Sequence, residues 1–546
     1  MDEAMRHFQE GLRLSAAGRT PQAIAHFEQA VHLKSDHPAL HYNLGLAYQQ
    51  SMRFVDAIVA YGRALDLAPE FFEAWFNLAK AARSASHLEL SLRAARTAVG
   101  LRPQDPEAHL ALSETLRALG DSSGAQEALS QAVATHVKRV ISSYHERKLT
   151  QAWEHAQTAL RLAPDNAQAC NAAGVVLLAQ HRLQEAIPYL RHSVELQPDF
   201  PASWTFLGHA HLYRNDLAGA AACYDRALNL NPDFSDARYF RAWAELAAGR
   251  FENGWPEFES RWNKRGPRLP RCPVWNGESL NGQRVLIYAE HGFGDTIFFA
   301  RYAPLVMGHG GRVTIECQPS LRRLLQSIPG VDAVAVRGEP LPEFDWQVSV
   351  MSLPRIFQTD LKSIPNSIPY LQAPVADEVI LPPAPSARLK VGLVWGGSRM
   401  LILEQDRSAP LSSLALVLTL PGVAYYSLQL DPRRNELREV EGGERLIDLG
   451  AQLTDFAATA AAMQQLDLVI SIDTAAAHLA GALGRPVWLL LVYCPDWRWM
   501  LHREDSPWYP TMRLFRQQAP DEGWERVAGR VRDALADFIR SRGGAA

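Results

Sequence analysis

The stretch LDLVISIDTAAAHLAGALGRPVWLL, Leu466 to Leu490, decides the fold of the C-terminal half of this chain. Its first part, Leu468 to Ile472, is an apolar run rich in β-branched residues and predicts a fully buried strand. The small residues from Thr474 to Ala482 predict a helix directly after that strand. Such a helix points unpaired backbone N–H groups into the crevice at the carboxyl edge of a parallel sheet, where phosphates bind. The stretch therefore predicts an α/β region with an anion site at the junction.

The residues at this junction suit an anion. Asp473 and Thr474 stand between strand and helix, and Ala475 has a side chain too short to block a phosphate. His478 lies one helical turn later, within reach of the same anion. A strand, a cap and a helix with a buried histidine are also ordinary α/β architecture, so these residues alone leave a purely structural role open.

The same segment carries a resemblance to a known class of enzymes. The pattern D-T-x-x-x-H, followed by a helix and G-x-P-V, resembles the diphosphate-binding segment of bacterial heptosyltransferases and related nucleotide-sugar glycosyltransferases. Those enzymes usually have Gly after the Thr, where this chain has Ala475. The resemblance implies that Asp473, Thr474, Ala475 and His478 bind a nucleotide sugar.

Composition excludes several other classes of function. The chain has 546 residues, a hydrophobic content of 47% and a net charge of −4, which gives no reason to expect nucleic acid or an anionic membrane as the main partner. Its five cysteines are scattered without C-x-x-C spacing, so we predict reduced thiols and no metal site. The first residues lack a targeting pattern and no window approaches 18 apolar residues, so we predict a cytoplasmic protein without a transmembrane segment.

The first half repeats itself every 34 residues. Small residues recur at the position where paired helices cross, namely Gly11, Gly45, Ala79, Ser113, Gly174, Gly208 and Ala242, and Pro69, Pro103, Pro198 and Pro232 stand between helix pairs. Small residues let helices approach closely, and proline ends the second helix of a pair. The pattern resembles tetratricopeptide repeats and predicts an α solenoid over residues 1–262. Such an array binds peptides or protein segments on its concave surface.

The register of the repeats breaks once. From Pro103 to Pro164 is 61 residues, seven fewer than two repeats require. We predict that the second helix of the fourth repeat runs almost directly into the next unit and bends the solenoid near residues 133–140. In the last pair, Ser235 to Trp262, an unusual set of aromatic residues predicts a cap that docks the solenoid on the next domain, in preference to a ligand cage.

After a predicted linker over residues 263–282, short apolar strands alternate with helices. Strands are predicted at 284–289, 312–316, 332–336 and 345–350, with helices at 296–308 and 320–327. A Pro-rich hinge at 381–385 precedes a second set of strands at 389–395, 424–429, 468–472 and 487–491, and a closing helix at 522–539. The pattern predicts an N-terminal lobe over 283–380 and a nucleotide-sugar-binding lobe over 381–546, with a cleft between them.

The first loop of the N-terminal lobe is HGFGD, His291 to Asp295. Gly292 and Gly294 are expected to permit a sharp turn, and Asp295 opens the following helix, where it is equally well explained as an N-cap. A lone G-x-G without a third glycine excludes a dinucleotide fingerprint. The segment AEHGFGDTIFFARYAPLV resembles the opening of heptosyltransferase-type enzymes, in which the Asp after G-x-G is the general base. His291 is the rival base, because its unperturbed pKa is nearer neutrality.

Repeats fused to such a catalytic region resemble protein O-linked sugar transferases and bacterial flagellin glycosyltransferases. The resemblance implies two Rossmann-like lobes of the GT-B type and inverting, metal-independent sugar transfer. It also implies that Arg407, after the strand at Leu389, faces the diphosphate. Gln429 at a strand end, with Leu453 and Thr454, is expected to line the base and ribose. No D-x-D follows a strand in a loop, so neither a divalent ion nor any other cofactor is predicted.

Three functions remain open at this point. The first is a glycosyltransferase whose repeats hold a protein acceptor while the C-terminal lobes transfer sugar from a nucleotide-sugar donor. The second is a non-catalytic repeat adaptor in which the lobes survive as a degenerate fold. The third is transfer to a lipid-linked glycan. The nucleobase, the sugar and the acceptor are not encoded in linear spacing.

Overall fold

The computed structural model describes residues 2–262, 272–374, 379–397, 407–430 and 432–543. The chain divides into two compact units, Met1–Pro198 and Asp199–Ala546. Residues 398–406, just before Arg407, lie outside the described residues, as do the first part of the predicted linker, 263–271, and residues 375–378 of the N-terminal lobe.

Unit 1 is built entirely from helices that pack in sequence order. They are α1 (Glu3–Ala16), α2 (Thr20–Leu33), α3 (Pro38–Gln50), α4 (Phe54–Leu67), α5 (Phe72–Ser84), α6 (Leu88–Leu101), α7 (Pro106–Ala118), α8 (Ser122–His145), α9 (Leu149–Leu162), α10 (Ala167–Ala179) and α11 (Leu183–Leu196). Small residues lie where paired helices cross: a Cβ added to Gly45 would be 2.6 Å from the Tyr61 ring. The repeat period thus reflects direct contact between helix backbones and large side chains.

The break in register is absorbed within one helix. The second helix of the fourth repeat and the first helix of the next unit are fused into α8, which is 24 residues long and has no loop near residue 136. Val133, His136 and Val140 on this helix are buried. The prediction that no ordinary loop separates these helices is confirmed, whereas a bend of the solenoid stays a prediction.

Unit 2 begins with four further repeat helices and continues into the α/β region. These helices are α12 (Pro201–Tyr213), α13 (Leu217–Leu230), α14 (Ser235–Ala247) and α15 (Phe251–Phe258). Phe251, Trp255 and Phe258 belong to the same buried core as the first sheet, and the Trp255 indole donates to the Thr359 carbonyl at 2.8 Å. The last helix pair is therefore packed on the α/β region, which confirms the docking role predicted for its aromatic residues.

The first sheet has four parallel strands in the order β3-β2-β1-β4. They are β1 (Arg284–Tyr288), β2 (Arg312–Cys317), β3 (Ala333–Val336) and β4 (Trp346–Ser349), flanked by α16 (Phe293–Phe299), α17 (Ala303–Gly308), α18 (Arg322–Leu325) and α19 (Leu353–Ile356). The single helix predicted at 296–308 is wrong. It is broken by a 3-10 turn at Ala300–Tyr302, because Pro304 has no N–H to continue the α-helical bonding.

The described end of the predicted linker belongs to this first sheet. Val274 bridges Gln347 of β4, and the side chains of Trp275 and Leu280 are fully buried. Most of the other residues of 272–282 are exposed, so this part of the predicted linker runs along the surface of the N-terminal lobe and is anchored in its core by Trp275 and Leu280.

The second sheet has six parallel strands in the order β10-β9-β8-β5-β6-β7. They are β5 (Leu389–Val394), β6 (Val423–Ser427), β7 (Leu446–Asp448), β8 (Leu468–Ile472), β9 (Val487–Leu491) and β10 (Met512–Arg516), with helices α20 (Glu436–Glu439), α21 (Phe456–Gln464), α22 (Ala475–Ala482) and α23 (Trp524–Gly543). Strands β8 and β9 are buried along their whole length, as their apolar runs predict. The strands β7 and β10 at the two edges were not predicted.

Candidate functional site

The site residues lie where strand order reverses in both sheets. In the first sheet the chain adds β2 and β3 on one side of β1 and β4 on the other, and in the second sheet it reverses between β5 and β8. A crevice opens at the carboxyl ends of such strands, and ligands bind there. The loop with Asp295 follows β1, and Asp473 and Thr474 follow β8. Asp295, and Asp473 with Thr474, therefore lie at the carboxyl ends of strands next to the point where strand order reverses.

The N-terminus of α22 is not capped by the side chain of Thr474. Thr474 is its N-cap with an extended backbone, φ −143° and ψ 172°, and no side-chain hydrogen bond from it caps the first turn. Its hydroxyl lies instead 3.2 Å from the Ser471 hydroxyl. The first N–H groups of a helix carry a partial positive charge, so this end of α22 has the polarity that a phosphate requires.

Helix α16 contacts α22 at Gly294. A Cβ added there would be 3.1 Å from the Cδ2 atom of His478 and 3.6 Å from the Cα atom of Ala475. Gly292 has φ −78°, and neither glycine of HGFGD has a positive φ. The expectation that both glycines serve a sharp turn is wrong, since Gly294 serves a close approach between helices. The predicted cleft is replaced here by direct contact, which brings Asp295 and α22 to one place.

Asp295 is held by two donors. Its Oδ2 atom accepts a hydrogen bond of 3.2 Å from the Gly292 N–H at the start of α16. Its Oδ1 atom accepts a 2.5 Å charge-assisted bond from Nη2 of Arg498. The side chain is 24% exposed. Asp295 is thus an N-terminal capping residue and also a partly accessible carboxylate, so the two explanations for it are compatible.

Arg498 was not predicted as a site residue. It lies in a 3-10 turn, Trp497–Trp499, within a segment rich in tryptophan. Its buried guanidinium also donates to Oδ1 of Asp496 at 3.0 Å. Burial opposes the charge, but Asp496 and Asp295 outweigh it and raise the pKa of Arg498. An arginine two residues from an aspartate inside an aromatic segment is the one signal that could have singled it out.

His478 is buried as a neutral imidazole. Its Nδ1 atom lies 3.1 Å from the Tyr509 hydroxyl, and its ring stacks on Trp499 at a centroid distance of 5.3 Å. Burial, and then the positive charge of Arg498, hold the pKa of His478 well below its usual value. His478 therefore lies on α22, close to its N-terminus, as predicted. It contributes hydrogen bonding and packing there without a positive charge.

Arg407 does lie next to the anion site. Its Nη1 atom is 3.4 Å from Oδ2 of Asp473, and its side chain is 29% exposed. The charge of Asp473 thus orients a cation beside the N-terminus of α22. That Arg407 faces a diphosphate stays a prediction, and the residues just before it lie outside the described part of the chain.

The remaining predicted residues have other surroundings. The His291 ring is exposed, with Nε2 3.5 Å from Glu290. Gln429 is buried, and its side-chain oxygen accepts hydrogen bonds from the N–H groups of Trp395 and Gly396 at 3.0 and 2.9 Å. It therefore supports the loop after β5. Leu453 is buried in the core, whereas Thr454, beside it, is exposed.

One residue of the repeats borders the same site. Tyr239 of α14 packs on Phe258 at a centroid distance of 5.5 Å. Burial, followed by the negative charges of Asp496 and Asp295, raises the pKa of Tyr239 to about 12. The last helix pair therefore reaches the carboxylates of the site, a proximity that no sequence pattern indicated.

Two kinds of feature are absent from the described residues. No group of three or more His, Cys, Asp or Glu side chains among them is arranged to hold a metal ion. Within the same residues, no helix combines the length and apolar character needed to cross a membrane.

Comparison with known proteins confirms the repeats. Sequence models of the tetratricopeptide repeat match residues 11–51, 38–71, 76–139, 137–200 and 207–269. Among solved structures, the crystal structure of MamA aligns with 36% of this chain and 96% of that chain at 17% identity and a TM-score of 0.24. The first repeat domain of Spaghetti (RPAP3) bound to an HSP90 peptide aligns with 22% of this chain and 94% of that chain at 21% identity and a TM-score of 0.21.

Two curated relatives differ greatly in how much they share. The tetratricopeptide repeat-containing protein trd-1 of Caenorhabditis elegans is 32% identical over 107 residues, which are 19% of this chain and 13% of that protein. Protein FlbA of Caulobacter vibrioides is 30% identical over an alignment 458 positions long, and this alignment covers 70% of this chain and 75% of that protein. An alignment of that length extends beyond the repeats into the α/β region, so the chain belongs to the family of Protein FlbA.

Proposed function

We propose that this chain is a glycosyltransferase that moves a sugar from a nucleotide-sugar donor to a protein acceptor held by the repeats. The observation that carries the proposal is the contact of α16 with the first turn of α22. Gly294 makes this contact and Asp295 is the next residue, which supports a carboxylate close to a positively polarised helix end. Sugar transfer needs these two groups together, a base for the attacking hydroxyl and a site for the departing diphosphate.

The two sheets support this proposal. The order of the second sheet, read from β5 as the first strand, corresponds to the 3-2-1-4-5-6 order of a dinucleotide-type Rossmann fold, and the first sheet corresponds to its 3-2-1-4 part. Two such lobes are what the GT-B class requires. The sheet edge with Thr474 is then the donor side, and the edge with Asp295 is the acceptor side.

The reaction uses one proton transfer and one displacement. Asp295 takes the proton of the acceptor hydroxyl while that oxygen bonds to the anomeric carbon of the sugar. The bond from this carbon to the diphosphate oxygen breaks, and the electron pair leaves with the nucleoside diphosphate. The N-terminus of α22 and Arg407 stabilise the charge that develops there. Attack from the side opposite the leaving group inverts the anomeric carbon.

The repeats supply the acceptor side of the proposal. Tetratricopeptide arrays present extended surfaces for peptides and protein segments. The last repeat pair is packed on the α/β region, and the negative charges of Asp496 and Asp295 act, after burial, on the pKa of Tyr239 in α14. An acceptor that follows the repeats to their C-terminal end would therefore arrive next to the base.

The test is transfer from a panel of radiolabelled UDP-, GDP-, ADP- and dTDP-linked sugars to total protein from cells that lack this chain. We expect the full-length chain to label a protein and release nucleoside diphosphate. Asp295→Asn should lower turnover by about 10²–10⁴-fold with the fold retained, which is the range for removal of a general base. Asp537→Asn, on an exposed carboxylate of α23, is the matched control and should leave turnover unchanged.

A non-catalytic repeat adaptor is the second candidate, and two observations favour it. The Asp295 carboxylate is already paired with the positive charge of Arg498. Gly294 is in contact with α22 where a cleft was expected. If the adaptor is correct, no donor sugar is transferred, and Asp295→Asn leaves the interactions of the chain with its protein partners intact. Transfer of radiolabelled sugar to protein that is lost in Asp295→Asn would exclude the adaptor.

A further inference from the structure

Arg498 connects the two lobes at the proposed catalytic carboxylate. The guanidinium belongs to the segment between β9 and β10, yet its Nη2 atom is 2.5 Å from Oδ1 of Asp295 in the N-terminal lobe. Its Nη1 atom is bound to Asp496, 3.0 Å away. A guanidinium that is almost fully buried has few alternative positions, so the Asp295 carboxylate is fixed from one side.

Aromatic rings hold Arg498 in this place. The guanidinium carbon lies 4.7 Å from the ring centroid of Phe298 and 5.2 Å from that of Phe299, both on α16, and 4.6 Å from that of Trp497. Cation–π contacts of this kind strengthen when they are desolvated. Because two of the three rings come from the helix that carries Asp295, Arg498 is aligned with the carboxylate as well as paired with it.

The backbone after this turn is strained. Met500 has φ 51° and ψ −174°, a conformation that residues other than glycine rarely adopt. Such conformations persist where the surrounding structure enforces them, and they concentrate at functional sites. The strain lies two residues from Arg498, in the segment that presents its guanidinium to α16.

We propose that Arg498 is a positioning residue that fixes Oδ1 of Asp295 so that Oδ2 is the atom which takes the acceptor proton. This inference rests on the proposed glycosyltransferase function. Oδ1 is committed to a short charge-assisted bond, whereas Oδ2 accepts only the longer 3.2 Å bond from Gly292 among the contacts described for it. A carboxylate oxygen can accept more than one hydrogen bond, so Oδ2 retains a lone pair for the hydroxyl.

The proton balance of the step assigns a role to Asp496 as well. When the acceptor proton arrives on Oδ2, Asp295 becomes neutral and Arg498 loses one of its two paired charges. Asp496 remains on the other side of the guanidinium at 3.0 Å. The buried cation therefore keeps a carboxylate partner throughout the reaction, which a single ion pair would not provide.

The test is a double-mutant cycle in the full-length chain, with the radiolabelled UDP-, GDP-, ADP- and dTDP-linked sugars and the total protein described above. The variants are Arg498→Met, Asp295→Asn and the double variant. We expect Arg498→Met to lower kcat about tenfold to a hundredfold and to change the KM for the donor less than about threefold, because a misplaced base weakens the chemical step. In the Asp295→Asn background, Arg498→Met should cause no further loss.

Two more variants separate positioning from a purely structural role. Arg498→Lys keeps the charge and the fold, and it should retain more activity than Arg498→Met but less than the parent chain, because a point charge orients one oxygen less well than a guanidinium. Arg513→Met, on an arginine of β10 that pairs with exposed Glu504, is the matched control and should not change kcat.

Losses that add in the double variant, or full activity of Arg498→Met, would overturn this inference while leaving the proposed function standing. Absence of transfer from every donor by the folded parent chain would overturn the proposed function, and this inference with it. If Arg498→Met unfolds, the effect of Arg498→Lys is compared between the parent chain and the Asp295→Asn variant, and this comparison gives the same coupling.

Discussion

The contact between α16 and α22 can be tested by adding one methyl group. In Gly294→Ala the new Cβ would lie 3.1 Å from Cδ2 of His478, closer than van der Waals contact allows. His478 cannot easily move, since it is buried, stacked on Trp499 and within hydrogen-bond distance of Tyr509. The two helices must therefore separate by a few tenths of an ångström.

The expected change in stability is the difference of two terms. Overpacking of a tight contact costs about 1–3 kcal/mol. Replacement of glycine by alanine in a helix stabilises the folded state by at most about 1 kcal/mol, and by less in the first turn, where Gly294 lies. We expect Gly294→Ala to lower the free energy of unfolding by about 1–2 kcal/mol. Because Asp295 is the next residue, turnover should fall by up to about a hundredfold.

Thermal unfolding and release of nucleoside diphosphate measure the two effects on the full-length chain. Gly529→Ala is the matched control, because Gly529 lies inside α23 with no atom within 4 Å of an added Cβ. It should raise stability by up to about 1 kcal/mol without changing turnover. If Gly294→Ala raised stability as much as Gly529→Ala and kept full turnover, the tight contact between α16 and α22 would be refuted.

Two further predictions concern unit 1. Gly45→Ala places a Cβ 2.6 Å from the Tyr61 ring and should destabilise the repeats by about 1–3 kcal/mol. Gly62→Ala, whose added Cβ has no atom within 4 Å, is the control and should be neutral or stabilising. Equal melting temperatures of the two variants would contradict the close contact between the crossing helices. His136 has no hydrogen-bond partner for either ring nitrogen among the described residues, and burial, then the charge of His155, lowers the pKa of His136 to about 4. The pKa of His136 is thus lower in the folded protein than in the unfolded chain, so the unfolded chain binds the proton more readily. The free energy of unfolding is therefore highest above about pH 6.5, and it falls by about 2 kcal/mol, after allowance for screening, as the pH decreases toward 4. His136→Phe should remove this loss in acid unfolding experiments, and an unchanged pH dependence would contradict the assignment.

Local rules account for most of the elements found. The 34-residue spacing of small residues is enough to identify the repeats, because each repeat contacts only its neighbours and the same contact recurs. The 61-residue interval between Pro103 and Pro164 located the fusion of two helices into α8. The apolar run at Leu468 to Ile472 gave the bounds of β8 without error, since a strand buried on both faces must be apolar throughout.

The elements that were missed lack such a local signal. Strands β7 and β10 lie at the edges of the second sheet and carry polar residues such as Asp448 and Arg513. Their assignment depends on pairing with β6 and β9, which are distant in sequence. The break at Pro304 was visible in the sequence, but the apolar pattern continued through it.

Periodicity and local capping are enough to predict the repeats, the two parallel sheets and the presence of a carboxylate and a helix N-terminus at sheet edges. The pairing of Asp295 with Arg498, 203 residues later, and the contact of Gly294 with His478 arise from the packing of distant segments. The same packing keeps His478 neutral, since burial and nearby charges set ionisation. Contacts between distant segments depend on how elements pack, and no spacing within one segment encodes them.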